Sequence, residues 1–292
     1  MRVFWVSMGI LAATMGAWRA HAQMPLPAGQ LVREVIYNEQ HDHRSHGAWR
    51  YWIEKSSTAG TKLEEQVETA DGPVNRLALS DGHPLGAGAQ EAEAARLERL
   101  LSSPSEQARH LRQYDEDEER IGRILALLPD AFLYEYDGEE NGSYRLRFHP
   151  NPVYPAGSIE ARVFHSMSGT LWVDVRAKRL ARLEGRVGEN VDFGFGILGR
   201  LYKGGWFRLV RVQVSATDWK TESLEMHMNI RALLVKTFAR ETSEMRGGFE
   251  AIPAGLSLAQ GMALLNQAGA RAESREDGGG ATMAPAALRA RQ

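Results

Sequence analysis

Between Gly169 and Glu244 apolar residues recur at every second position through several consecutive segments, the pattern of antiparallel strands with one buried and one wet face. The clearest segment is Glu222 to Ala232, where Leu224, Met226, Met228, Ile230 and Ala232 alternate with Glu225, His227, Asn229 and Arg231. Around it, Leu171, Val173 and Val175 oppose Thr170, Trp172 and Asp174, and after a turn at Arg176-Ala177-Lys178 the residues Ala181, Leu183 and Val187 oppose Arg182, Glu184 and Arg186. Val210, Val212 and Val214 continue the pattern, as do Val235, Thr237 and Ala239 against Lys236, Phe238 and Arg240. Trp219 to Arg231 reads as one strand of about 13 residues, roughly 43 Å at about 3.3 Å per residue. Strands of that length twist, and a sheet of them coils toward a half barrel. The expected fold class is therefore α+β: a curled antiparallel β-sheet, or half-barrel, with helices packed against its concave face.

The remaining chain supplies the other strands and the helices. Leu31 to Asn38, with Val32, Val35 and Tyr37, reads as a short strand, and Ala48 to Glu54 places Trp49, Tyr51 and Ile53 on one side. Thr61–Thr69 and Val74–Leu79 form a meander around Asp71-Gly72, a hairpin signal. The period then changes. Ala89 to Leu101 is rich in helix formers, and Ser103-Pro104-Ser105-Glu106 marks a second helix start, with Ser103 as N-cap and Pro104 at the first helical position. Pro129 is expected to end that helix, and the acidic run Asp115 to Glu119 reads as a solvated face or a break between two helices. Phe132–Asp137 and Ser143–His149 form a hairpin around Asn141-Gly142, followed by a proline-dense corner from Pro150 to Pro155 and one or two helical turns within Ser158–Ser166. Ser257 to Ala268 reads as a terminal helix docked on the sheet.

Arg2 precedes an apolar run, Val3 to Trp18, and Ala20-His21-Ala22 has the small residues of a cleavage site, so residues 1–22 read as a signal peptide and Gln23 as the first mature residue. The run is too short to span a bilayer, and no later stretch approaches transmembrane length. With no cysteine anywhere, neither a lipid-modified thiol nor a disulfide is available. The expected location is periplasmic or secreted. The mature chain reads as a single domain, 23–268, with a helical insertion at about 87–128 and a disordered tail at 269–292 rich in Ala, Gly and Arg.

Chemistry is harder to find. The formal charge of −2, from 35 basic and 37 acidic residues, offers no basic field for phosphate backbones, which excludes nucleic acid as the expected partner. His41, His43 and His46 lack the spacing of a metal site, since in an extended chain the third does not share the face of the first two. They read as a solvated hairpin loop, and no metal is expected. The glycine-rich Gly188–Gly205 segment has neither phosphate-loop spacing nor a strand-to-helix context; Phe193 and Phe195 suit a strand edge or a hydrophobic flap. His149, His165 and His227 have no nucleophile elbow or spaced carboxylate pair beside them, so neither a catalytic residue nor a cofactor is expected.

An exported chain with a meander of long strands, helices inserted between early and late strands, and Gly169-Thr170-Leu171-Trp172-Val173-Asp174 opening a hairpin that ends in Glu184-Gly185 resembles the LolA/LolB-like periplasmic lipoprotein carriers over about Leu31 to Phe249. It departs from them in its longer helical insertion, its proline corner and its Gly188–Gly205 loop, and is more similar to uncharacterised exported bacterial proteins of that fold. The resemblance implies an incomplete barrel closed by helices around an apolar cavity that takes acyl chains. The expected function is a non-enzymatic binding or carrier role for an apolar ligand such as a lipid or lipoprotein acyl chain. The candidate apolar face comprises Val210, Val212, Leu224, Met226, Met228 and Phe238, filled by Leu111, Leu125 and Leu265 or open to a guest. The alternative is a structural or interaction protein of the cell envelope, with a protein partner and no small ligand.

Overall fold

The computed structural model describes residues 26–41, 47–193, 199–232 and 236–276, the side chains of 232, 236–240 and 268–276 excepted. Helix α1 (Ala28–His41) comes first, then strands β1 (Ala48–Ser57), β2 (Gly60–Val67), β3 (Val74–Ser80) and the two-residue β4 (His83–Pro84). Helices α2 (Ala87–Ser102) and α3 (Pro104–Ala131) precede the hairpin β5 (Phe132–Glu140) and β6 (Ser143–Pro150). After α4 (Ile159–Phe164) come β7 (Met167–Asp174), β8 (Leu180–Val187), the short β9 (Val191–Phe193) and β10 (Gly199–Leu201), and β11 (Trp206–Gln213). The long pair β12 (Trp219–Ala232) and β13 (Lys236–Ile252) then leads into α5 (Leu258–Glu276).

All thirteen strands belong to one open antiparallel sheet in the order β4-β3-β2-β1-β13-β12-β11-β8-β7-β6-β5, with β10 beside the distal half of β12 and β9 beside β10. Two meanders thus meet where the first strand pairs with the last, Ala48 opposite Ile252. Local chemistry places several boundaries. Asn141 and Gly142 take the positive φ angles, 50° and 76°, that a tight hairpin turn requires. The Ser103 hydroxyl accepts the Glu106 N–H and caps α3, and Ser158 caps α4 through the Ala161 N–H at 3.1 Å. At the outer edge of β3, α2 satisfies the backbone: Leu77 N–H donates to Glu93 at 2.9 Å and Arg96 donates to the Asn75 carbonyl at 2.6 Å.

The sheet curls around α1. Leu31, Val32, Val35 and Ile36 pack into one core with residues contributed by β5, β6, β7, β8, β11 and β12, among them Phe132, Leu146, Phe148, Leu171, Phe207 and Ile230. A second core lies on the opposite face at the β2–β3 end, where α5 and α2 bring Leu258, Met262, Leu265 and Leu97 against Val67 and Val74. A third gathers Trp49, Tyr51 and Ile53 with Phe249 and Val214. Helices therefore cover the concave face at one end of the sheet and the outer face at the other.

Several expectations change. Leu31–Asn38 is not a strand but the middle of α1: Leu31, Val32, Val35, Ile36 and Glu39 are its buried residues, spaced as one helical face, of which Val32 and Val35 alone also fit the strand pattern. Tyr37 points outward at 61% exposure. The histidine run therefore follows a helix rather than joining two strands; His41 ends α1 and stacks on Tyr37 at 4.0 Å, and residues 42–46 lie outside the described part. α3 runs unbroken through the acidic segment and past Pro129 to Ala131. A proline two residues from a helix end forfeits a single backbone bond, which the packing of the last turn offsets. α5 continues to Glu276, beyond the expected end at Ala268, while 277–292 lie outside the described residues, as do 194–198 of the glycine-rich segment.

Candidate functional site

Directly opposed residues on neighbouring strands share a face, so register reads out what lines the concavity. One row runs from Leu146 on β6 through Leu171, Leu183, Leu209 and Leu224 to Glu244 on β13, Lys55 on β1 and Lys62 on β2. The row turns from leucine to charge in one step, between β12 and β13. The adjacent row carries Phe148, Gly169, Gly185, Phe207 and Met226, and then Thr242 and Ser57. Its glycines make room for rings: a Cβ on Gly185 would lie 2.3 Å from the Phe207 ring, and one on Gly169 would lie 2.8 Å from the Phe148 ring.

At the β5–β8 end α1 occupies this face. Between Val32, Val35 and Ile36 of the helix and Phe132, Phe148 and Phe207 of the sheet a cavity of only about 60 Å³ is left, well below the roughly 300–1,000 Å³ of small-molecule sites. The C-terminal end of α1 is fastened by charge. Arg179 donates to both oxygens of the buried Glu39 carboxylate at 3.1 Å, the Leu180 N–H donates at 3.0 Å, and Arg211 donates as well. Burial pushes the Glu39 carboxyl up, but Arg211, then Arg179 and the Leu180 N–H, outweigh it and hold the group below its ordinary range. Asn38 adds a bond to the Lys178 carbonyl, and at the other end of the helix Arg33 pairs with Asp130.

The six candidate residues do not form one face. Leu224, Met226 and Met228 line the concavity, with Met228 packed against the α1 core and the other two half-buried outside all three cores. Val210 and Val212 sit on the opposite, convex face: Val210 pairs with Ser223 and Arg182, whereas Leu209 pairs with Leu224. β11 is apolar at both parities except at Arg208, Arg211 and the terminal Gln213, so alternation alone does not choose between Leu209 and Val210. The convex side is polar instead, with Glu184 between Arg182 and Arg208 and Arg182 over the Trp172 ring at 4.5 Å. Phe238 is opposite Ile230 through its backbone, and its side chain is outside the described part. Of the proposed fillers, Leu125 packs on the α1 core, Leu265 belongs to the outer core, and Leu111 is exposed in a separate cleft of about 420 Å³ between α3 and the start of α5. Phe207, Leu209 and the Glu39–Arg179–Arg211 cluster were absent from the sequence reading; Glu39 and Arg179 lie 140 positions apart with no local signal joining them.

Among the described residues no three His, Asp or Glu side chains are grouped to hold a metal, and no helix is long and apolar enough to cross a membrane. No family model matches this sequence, and no curated protein matches it. A DUF1329 family protein from Desulfovibrio piger, known from its crystal structure, is similar at 11% identity with a TM-score of 0.33, over 80% of this chain and 96% of that one.

Proposed function

We propose that the chain is an exported, non-enzymatic binding or carrier protein for an apolar ligand such as a lipid or acyl chain, built on the LolA/LolB-like plan that its strands resemble and acting in the periplasm or outside the cell. The observation that carries this reading is the strip of Leu224 and Met226, which continues the apolar concave face beyond the part that α1 fills and stays half-buried outside every core. Full burial of such a side chain is worth about 1.5–3 kcal/mol relative to full exposure, and a guest supplies the part that these half-buried residues still lack. Methionine suits irregular acyl chains because its unbranched thioether adapts to what it meets. The cavity beside α1 is too small for the guest, so the guest lies along the strip rather than under the helix.

Native mass spectrometry and solvent extraction of the mature protein, purified from an exporting cell, test the reading. Lipid released from the wild-type chain is the expected result. A chain that carries no lipid, and takes up none from phospholipid vesicles, refutes it. An N-terminus at Gln23 in the exported fraction checks the leader.

A further inference from the structure

The cleft between α3 and the start of α5 measures about 420 Å³, within the roughly 300–1,000 Å³ of binding sites and unlike the cavity beside α1. Its walls are largely apolar: Leu101 at the end of α2 and Leu111 on α3 are each 38% exposed, with Pro104 and Ala108 between them in sequence. Asp71, from the β2–β3 turn, is the one carboxylate among the described lining residues, and neither Lys nor Arg joins it there. Its Oδ2 accepts the Leu258 N–H at 3.2 Å at the start of α5, and a carboxylate has lone pairs to spare for a cation as well. The cleft therefore suits a guest that carries an apolar side chain next to a positive charge, and an anion entering it meets Asp71.

We propose that this guest is the chain's own segment 281–292, with Leu288 entering between Leu101 and Leu111 and Arg289 pairing with Asp71. The docking is independent of the carrier reading. Beyond Asp277 the sequence has no acid; its larger apolar residues are Met283, Pro285 and Leu288, and its charges are Arg289 and Arg291. That composition complements the cleft in both respects. The segment is also within reach. α5 starts at the cleft and runs for 19 residues, about 28 Å at about 1.5 Å per residue. The 12 residues from Asp277 to Leu288 span up to about 40 Å when extended. Gly278, Gly279 and Gly280 open that stretch, and glycine turns a chain back on itself at the least steric cost. A single exposed ion pair and one apolar side chain hold a free peptide weakly. A tethered segment meets the same cleft at an effective concentration in the millimolar range, so weak contacts suffice.

The chain has no cysteine, so disulfide exchange reads the contact without interference. Two forms of the full mature chain are equilibrated in a glutathione redox buffer. One carries Ala287→Cys with Ala108→Cys in the cleft; the reference carries Ala287→Cys with Glu91→Cys, a position exposed on α2 and outside the cleft lining. Ala108 and Glu91 are both exposed, so neither substitution opens a core. The intramolecular disulfide of the first form is expected to be favoured about tenfold or more over that of the reference. Adding Asp71→Asn, which keeps an oxygen for the Leu258 N–H, is expected to lower that ratio several-fold, and Leu288→Ser is expected to lower it too. Equal disulfide formation in the two forms, or a ratio that neither added substitution changes, overturns the docking. Disulfide-linked dimers in place of the intramolecular product, at every dilution, assign the cleft to a second copy and overturn it as well.

Discussion

Replacing Glu39 by Gln keeps the volume and removes the charge that fastens α1 to the sheet. The carboxylate accepts two bonds from Arg179, one from Arg211 and one from the Leu180 N–H, with the side chain 8% exposed. Removing the charge takes away the counter-ion that two guanidinium groups share, Arg179 and Arg211, and breaking a buried pair in this way costs about 3–5 kcal/mol. That is a third or more of the roughly 5–15 kcal/mol that holds an ordinary domain together. The folded carboxyl titrates below its ordinary value of 4.5. The stabilisation is therefore complete above that ordinary value and is lost as pH falls through the lower, folded-state value, where the wild type becomes protonated too. Urea unfolding at neutral pH is expected to separate wild type and Glu39→Gln by about 3–5 kcal/mol, and the gap is expected to narrow on acidification. Adding Arg211→Met to the variant should recover part of the loss, because one of the two cations that faced the carboxylate goes with it. A difference below about 1 kcal/mol at neutral pH, or a gap that widens as pH falls, refutes a charge-based fastening.

Gly169→Ala is expected to destabilise by about 3 kcal/mol or more in the same assay, since its Cβ would stand 1.9 Å from the Glu184 carbonyl oxygen within the β7–β8 ladder. Gly88→Ala, on α2 with nothing within 4 Å, is expected to stabilise by about 0.5–1 kcal/mol. Leu265→Ala, at 0% exposure between α5 and the β2–β3 pair, is expected to cost about 2–5 kcal/mol by urea titration. Met226→Glu on the concave strip is expected to abolish lipid recovery while Val210→Glu on the convex face leaves it intact, as read by extraction and mass spectrometry; equal loss from both refutes the assignment of faces.

The parts legible in advance were those whose pattern is local and unambiguous. β12 alternates so regularly that only one face is apolar, the Asn141-Gly142 turn has the dihedrals its residues favour, and the Ser103 cap precedes a proline suited to the first helical turn. Positions 32, 35 and 37 alone suit a strand, whereas Leu31 and Ile36 complete the helical face that α1 buries. The valines of β11 are apolar on the parity that faces solvent, and only pairing with β8 and β12 decides which side is in. The charged half of the concavity was invisible for the same reason: Glu244, Lys55 and Lys62 become neighbours through registers that join distant strands.

The junction of the two meanders also sets an order of events in folding. β5 to β8 pair with their sequence neighbours, as do β1 to β3, but β1 waits for β13: Ala48 meets Ile252 across most of the chain. Loop closure over that separation is slow, and until it happens β1 presents an unpaired edge beside its Trp49–Tyr51–Ile53 face. During synthesis, which delivers the N-terminus first, the chain therefore holds its first meander half-finished until the last long strand emerges, and that interval is when it is most open to misassembly.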